Sequence, residues 1–102
     1  MSGLLGGKRA YVTGGSRGIG AAIVRVFAEE GARVAIGAAS HAKEAEAMAN
    51  SLPGGGHVVV KADLYDRKEI ARAADTVVAS LGGLDIFVHS AGIDVTQTAV
   101  AH

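Results

Sequence analysis

The chain has 102 residues, 49% hydrophobic and 20% charged, and its ten basic and ten acidic side chains cancel to a formal net charge of zero. That size suits one domain around one modest core, and the balance is that of a folded, soluble chain. Neutrality argues against a non-specific nucleic-acid binder, and no apolar run approaches the roughly 18 residues of a membrane span. There is no cysteine, which excludes disulfides and thiolate metal sites and fits a cytoplasmic setting. Met1 to Lys8 lacks the apolar centre of a signal peptide.

Residues 8–12 are short, largely apolar and rich in strand formers, which predicts a buried parallel strand. Thr13 to Gly20 is a glycine-rich turn. A helix is expected over Ala21 to Glu30, with Ile19, Ala22, Ile23, Val26 and Phe27 as its apolar stripe and Gly31 as its stop. Arg33 to Ile36 reads as the second strand, and Gly37 to Ser40 as a connection of small residues. Ser40 is the expected N-cap of a helix with Ala45, Met48, Ala49 and Leu52 inward. Pro53 and three glycines end that helix. His57 to Lys61 reads as a third strand. Asp66 and Glu69 have capping-box spacing ahead of a third helix, whose stripe is Ile70, Ala73, Ala74, Val77, Val78 and Leu81. Gly82 and Gly83 stop it, and Leu84 to His89 is a fourth strand. Residues 93–102 carry no clear signal. Strands alternating with helices imply parallel neighbours and right-handed crossovers. The fold class is α/β: a Rossmann-type doubly wound parallel sheet of about four strands and three helices, in a single domain over residues 1–102.

The glycine turn between strand and helix carries the functional signal. Bare backbone N–H groups and a helix N-terminus meet there, and both favour an anionic phosphate. A P-loop is excluded because Gly18 is followed by Ile19, not Lys-Ser/Thr. G-x-G-x-x-G is excluded too, since no glycine stands three residues after Gly20. The pattern present is Thr-Gly-x-x-x-Gly-x-Gly.

With Asp63-Leu64 after the third strand and Ser90-Ala91-Gly92 after the fourth, this pattern resembles the short-chain dehydrogenase/reductase family. The resemblance runs along the whole chain but covers only the N-terminal, cofactor-binding half of such an enzyme. It implies a nicotinamide dinucleotide held by Gly14, Gly18 and Gly20, with Ser16, Arg17 and Ile19 in the same loop. Asp63 would bond the adenine amino group, with Leu64 beside it. Ser90, Ala91 and Gly92 would pass the nicotinamide ribose. The family's usual Asn-Asn-Ala-Gly is His89-Ser90-Ala91-Gly92 here, so two side-chain amides are lost.

A carboxylate after the second strand would select NAD(H) by holding the ribose 2′-OH. The sequence there is Ile36-Gly37-Ala38-Ala39-Ser40, without an acid. Arg17 offers a cation, and Ser40 and His41 offer donors. NADP(H) is therefore favoured, with NAD(H) a second option. The family's Tyr-x-x-x-Lys is absent: Gly15 follows Tyr11 by four residues, and Glu69 follows Tyr65. No catalytic residue is assigned, no metal site is expected from the scattered histidines, and His89 reads as a satisfied strand-end histidine. Asp85 and Asp94 read as turn residues.

The reading is the cofactor-binding part of an oxidoreductase that moves hydride between NAD(P)(H) and a carbonyl or alcohol, inactive by itself. The alternatives are a non-catalytic dinucleotide-binding or regulatory module, and an excised or designed minimal Rossmann unit. With four strands only, the fourth would be an exposed edge, open to self-association.

Overall fold

The computed structural model describes residues 3–14, 18–62, 66–90 and 98–101, the last four by backbone alone. Its elements are β1 (Arg9–Thr13), α1 (Gly18–Glu29), β2 (Arg33–Ala38), α2 (Ala42–Ser51), β3 (Val58–Lys61), α3 (Arg67–Leu81), β4 (Ile86–His89) and β5 (Thr98–Ala101). The sheet order is β3-β2-β1-β4-β5. The pairs β1–β2, β2–β3 and β1–β4 are parallel.

Alternating side chains of the strands divide the core between two faces. Val12, Val34, Ile36 and Val88 point to one side and pack with Val24 and Ala28 of α1 and Ala45 of α2. Tyr11, Ala35 and Val60 point to the other and pack with Ala73, Val77 and Leu81 of α3. Helices therefore cover both faces, as the doubly wound reading requires. Each fully buried valine or isoleucine in these layers contributes on the order of 1.5–3 kcal/mol.

Local chemistry sets the helix ends. Gly31, at φ +99°, closes α1 in a Schellman turn. The Ala32 N–H bonds the Phe27 carbonyl at 3.0 Å, and the Gly31 N–H bonds that of Ala28 at 3.1 Å. Asp66 caps α3 by accepting from the Lys68 and Glu69 N–H groups at 2.9 and 3.4 Å. The Glu69 carboxylate also accepts from Arg72 one turn on.

Several expectations are corrected. Helix α1 starts at Gly18 instead of Ala21, and its buried residues are Gly20, Val24 and Ala28. Ile19 and Val26, expected inside, are 54% and 52% exposed, and Ala22 is exposed as well. The chain approaches the sheet through its small residues, which let the helix lie close. In α3, Val78 is exposed. Strand β2 runs on to Ala38, so Gly37 is a strand residue. A Cβ on Gly37 would lie 3.0 Å from both Thr13 Cα and Tyr11 Cε1, because the Tyr11 ring occupies that space. The N-cap position of α2 is His41, not Ser40, and no side-chain cap bond forms there. Asp85 is more than a turn residue: it pairs with Arg9 across 76 positions at 3.0 Å. The expected bare edge at β4 is covered, since β5 pairs antiparallel along it from Ile86↔Ala101 to His89↔Thr98. The sheet edges are thus β3 and β5.

Candidate dinucleotide site at the strand switch point

The chain passes from β1 outward through β2 to β3, then crosses back to lay β4 on the other side of β1. The strand order therefore reverses between β1 and β4. In open α/β sheets the crevice beyond the carboxyl ends of such strands is where ligands bind. Thr13 and Gly14 end β1 at that crevice, and His89 and Ser90 end β4 beside them.

Thr13 ties the two strand ends together. Its hydroxyl accepts from the Ser90 N–H at 3.0 Å and lies 2.9 Å from His89 Nδ1. The Ser90 N–H also reaches the Thr13 carbonyl at 3.3 Å. Thr13 and Ser90 are buried, at 0% and 1% exposure. His89 is half-buried, with its ring 6.3 Å from that of Phe87, which in turn sits 5.5 Å from Tyr11. The expected satisfied histidine is thus found, with Thr13 as its partner. In the sequence, Thr13 is only the first letter of the glycine pattern. A hydroxyl at a buried strand end, opposite another strand end, is the signal that identifies it.

Gly14 and Gly18 adopt φ +65° and +57°, a region open to glycine and costly for residues with a Cβ. Helix α1 begins at Gly18, and its first turn holds no acid. The positive end of its dipole is thus not neutralised by an acidic side chain in that turn, which fits an anionic ligand. Gly20 is buried, where the helix lies against the sheet, and Ile19 stands exposed next to it. Ser16 and Arg17 lie outside the described residues.

At the end of β2, Ala38 and Ala39 are buried and Ser40 is exposed. Ser40 Oγ lies 3.2 Å from His41 Nδ1, and His41 Nε2 is 4.0 Å from Glu44. A recess of about 740 Å³ lies against β3 and α3, with Ala39, Lys61, Ala62 and Arg72 in its lining. Asp63 and Leu64 continue from Ala62 and lie outside the described residues, as do Ala91, Gly92, Tyr65 and Asp94. Of the expected site, Gly14 follows β1 and Ser90 follows β4, joined through Thr13, while Gly18, Ile19 and Gly20 form the first turn of α1. Ser40 stands at the end of β2, one strand away.

Tyr11 is fully buried under α3, and its hydroxyl has no hydrogen-bond partner. Burial pushes its phenol up from the ordinary value, away from use as a base. Among the described residues there is no cluster of three metal-ligating side chains and no helix long and apolar enough to cross a membrane.

Comparison with known proteins agrees with the switch-point geometry. The family model described as short chain dehydrogenase matches residues 8–102. The chain belongs to the short-chain dehydrogenase family. Its relatives in that family include the D-threitol dehydrogenase of Mycolicibacterium smegmatis, 45% identical over 91 residues, covering 87% of this chain and 35% of that protein. A dehydrogenase/reductase from Sinorhizobium meliloti 1021 superposes with a TM-score of 0.83 at 49% identity, over 87% of this chain and 36% of that one. A short chain dehydrogenase from Burkholderia cenocepacia J2315, solved in complex with NADP, gives a TM-score of 0.78 at 45% identity, over 81% of this chain and 35% of that one. The chain thus spans about a third of the length of these family members.

Proposed function

We propose that residues 1–102 form one dinucleotide-binding domain whose site is the β1–β4 switch point, and that the cofactor is NADP(H) in preference to NAD(H). The single observation that carries this is the Thr13–Ser90 tie between the ends of β1 and β4, followed directly along the chain by Gly14 and Gly18 at positive φ and an acid-free start of α1. Backbone N–H groups of the Gly14–Gly20 turn, with Ser16, hold the pyrophosphate. Ile19 lies beneath the nicotinamide end, and Ser90, Ala91 and Gly92 pass its ribose. The recess beside Ala39 and Ala62 receives the adenosine end, with Asp63 on the adenine amino group and Leu64 alongside. Arg17, Ser40 and His41 meet the 2′-phosphate, and no acid between Ile36 and Ser40 opposes it. The NADP complex of the Burkholderia relative supports that choice.

The bound cofactor supplies the hydride, exchanged with a carbonyl or alcohol by the family's enzymes. The residues described here bind and orient; no Tyr-x-x-x-Lys occurs in the 102 residues. The chain is therefore expected to bind cofactor without turning it over. A cytoplasmic setting belongs to this reading and rests on the cysteine-free sequence.

Titration with NADPH and NADH, followed by cofactor fluorescence, tests the proposal. NADPH should bind about tenfold tighter or better, a difference of roughly 1.4 kcal/mol. Gly18→Leu, checked for fold by circular dichroism, should lose about tenfold or more in affinity for both. Equal affinities would remove the NADP(H) preference, and an unchanged Gly18→Leu would remove the glycine turn.

A further inference from the structure

Away from the switch point, the histidine that precedes β3 is held by two hydrogen bonds that define its chemical state. His57 Nε2 lies 2.7 Å from the Pro53 carbonyl oxygen. A carbonyl only accepts, so Nε2 carries the ring hydrogen. His57 Nδ1 lies 3.1 Å from the backbone nitrogen of Val34, which donates to it. An amide N–H only donates, so Nδ1 presents its lone pair. Together the two bonds specify a neutral ring in one tautomer.

The bond to Val34 has a structural job. Val34 pairs with Ala10 on β1, while the β2–β3 ladder begins one residue later, at Ala35↔Val58. The imidazole nitrogen thus stands where a strand carbonyl would stand, one step before β3 starts. The bond to Pro53 closes the turn between α2 and β3, in which Gly54, Gly55 and Gly56 all take positive φ. One side chain therefore fastens both the edge strand and the turn leading into it.

Protonation reverses one of these bonds. A second ring hydrogen on Nδ1 would point at the Val34 N–H, donor against donor. Of the charged groups nearby, Glu46 of α2 shares a recess with His57, whereas Arg33 of β2 passes Gly56 with its alkyl chain and donates its guanidinium to the Leu81 carbonyl.

We propose that His57 is a proton-operated latch: neutral, it locks the 53–56 turn and edge strand β3 to β2; protonated, it releases them. The release frees the start of β3 from β2 while leaving the β1–β4 pairing in place.

Two measurements test this on the 102-residue chain. Ring nitrogen NMR shifts at about pH 7.5 should show the neutral tautomer with hydrogen on Nε2. Between about pH 7.5 and about pH 5.5, the Val34 amide, corrected for intrinsic exchange, should lose about fivefold in hydrogen-exchange protection, as for the loss of one hydrogen bond. In His57→Asn, whose amide oxygen accepts at every pH, that loss should vanish. An equal loss in the variant, no loss in the wild type, or a hydrogen on Nδ1 would each overturn the proposal. The NMR reading needs no substitution, so it stands even if the variant fails to fold.

Discussion

The Thr13 hydroxyl lies 2.9 Å from His89 Nδ1, joining the end of β1 to the end of β4 across 76 positions of sequence. It also receives the Ser90 N–H, and all of this takes place at the edge of the crevice where cofactor is proposed to bind. Thr13→Val keeps the side chain's shape and removes the hydroxyl. It should cost about 1–3 kcal/mol, because the His89 ring nitrogen loses its partner and the Ser90 N–H keeps only its longer bond to the Thr13 carbonyl. Thr13→Ser keeps the hydroxyl and should lose less. Urea unfolding of the two variants measures the difference, and a Val variant as stable as wild type would deny the hydroxyl its role.

Gly37 predicts a steric penalty. A Cβ there meets Thr13 Cα at 3.0 Å and the Val12 carbonyl oxygen at 3.1 Å, both backbone atoms that cannot swing away. Gly37→Ala should destabilise the chain by about 1–3 kcal/mol, as overpacking does. Thermal melting will show it as a lower midpoint. Pairing the change with Tyr11→Phe should recover nothing, because the ring carbon, not the hydroxyl, makes the contact.

Asp66 caps α3 through two backbone N–H groups. Asp66→Ala should cost about 0.5–2 kcal/mol, while Asp66→Ser or Asp66→Asn should retain most of the stability. Denaturant midpoints with unchanged slope will distinguish loss of the cap from a wider change in the fold.

Asp85 predicts an acid dependence. The Arg9 side-chain bond, then the Arg9 backbone N–H, hold its carboxyl below the ordinary value. Folding thus makes this group easier to ionise. The stability it contributes is present above the unfolded aspartate value, about 3.9, and is lost as pH falls through the lower native one. Both side chains are about a third exposed, 30% and 29%, so solvent screens the pair. Asp85→Asn should be less stable than wild type at neutral pH, and the gap should close below about pH 4. A gap constant with pH would show that ionisation of Asp85 contributes nothing.

What the sequence made legible follows from the range of each signal. The Asp66 cap and the Gly31 and Gly82 stops are written within a few residues, and the structure places them as read. The inward face of α1 was not legible, because Ile19, Ala22, Ile23, Val24, Val26 and Phe27 crowd apolar residues around most of the helix. Its orientation is set by close approach at Gly20 and Ala28, which hydropathy does not register. The strand β5 is four residues of moderate propensity whose pairing depends on β4. The Arg9–Asp85 pair and the Thr13–His89 contact join positions 76 apart, and no local pattern announces them. At the candidate site, spacing singles out Gly14, Gly18 and Gly20. The role of Thr13 needed its neighbour on β4.

The central position of β1 has a consequence in time. Its pairing with β2 joins Arg9 to Arg33, a short step along the chain, whereas its pairing with β4 must bring Ala10 to Ile86. Closing the longer loop costs about 1 kcal/mol more in chain entropy, before any contact repays it. The β1–β2–β3 half can therefore zip while β4 is still searching, and the Thr13–Ser90 clasp forms among the last events. A nascent chain emerging from the ribosome would show helices and strands well before it showed a crevice. Cofactor capture would then mark the completion of folding, and a dinucleotide added during refolding should act on the final step and leave the early ones unchanged.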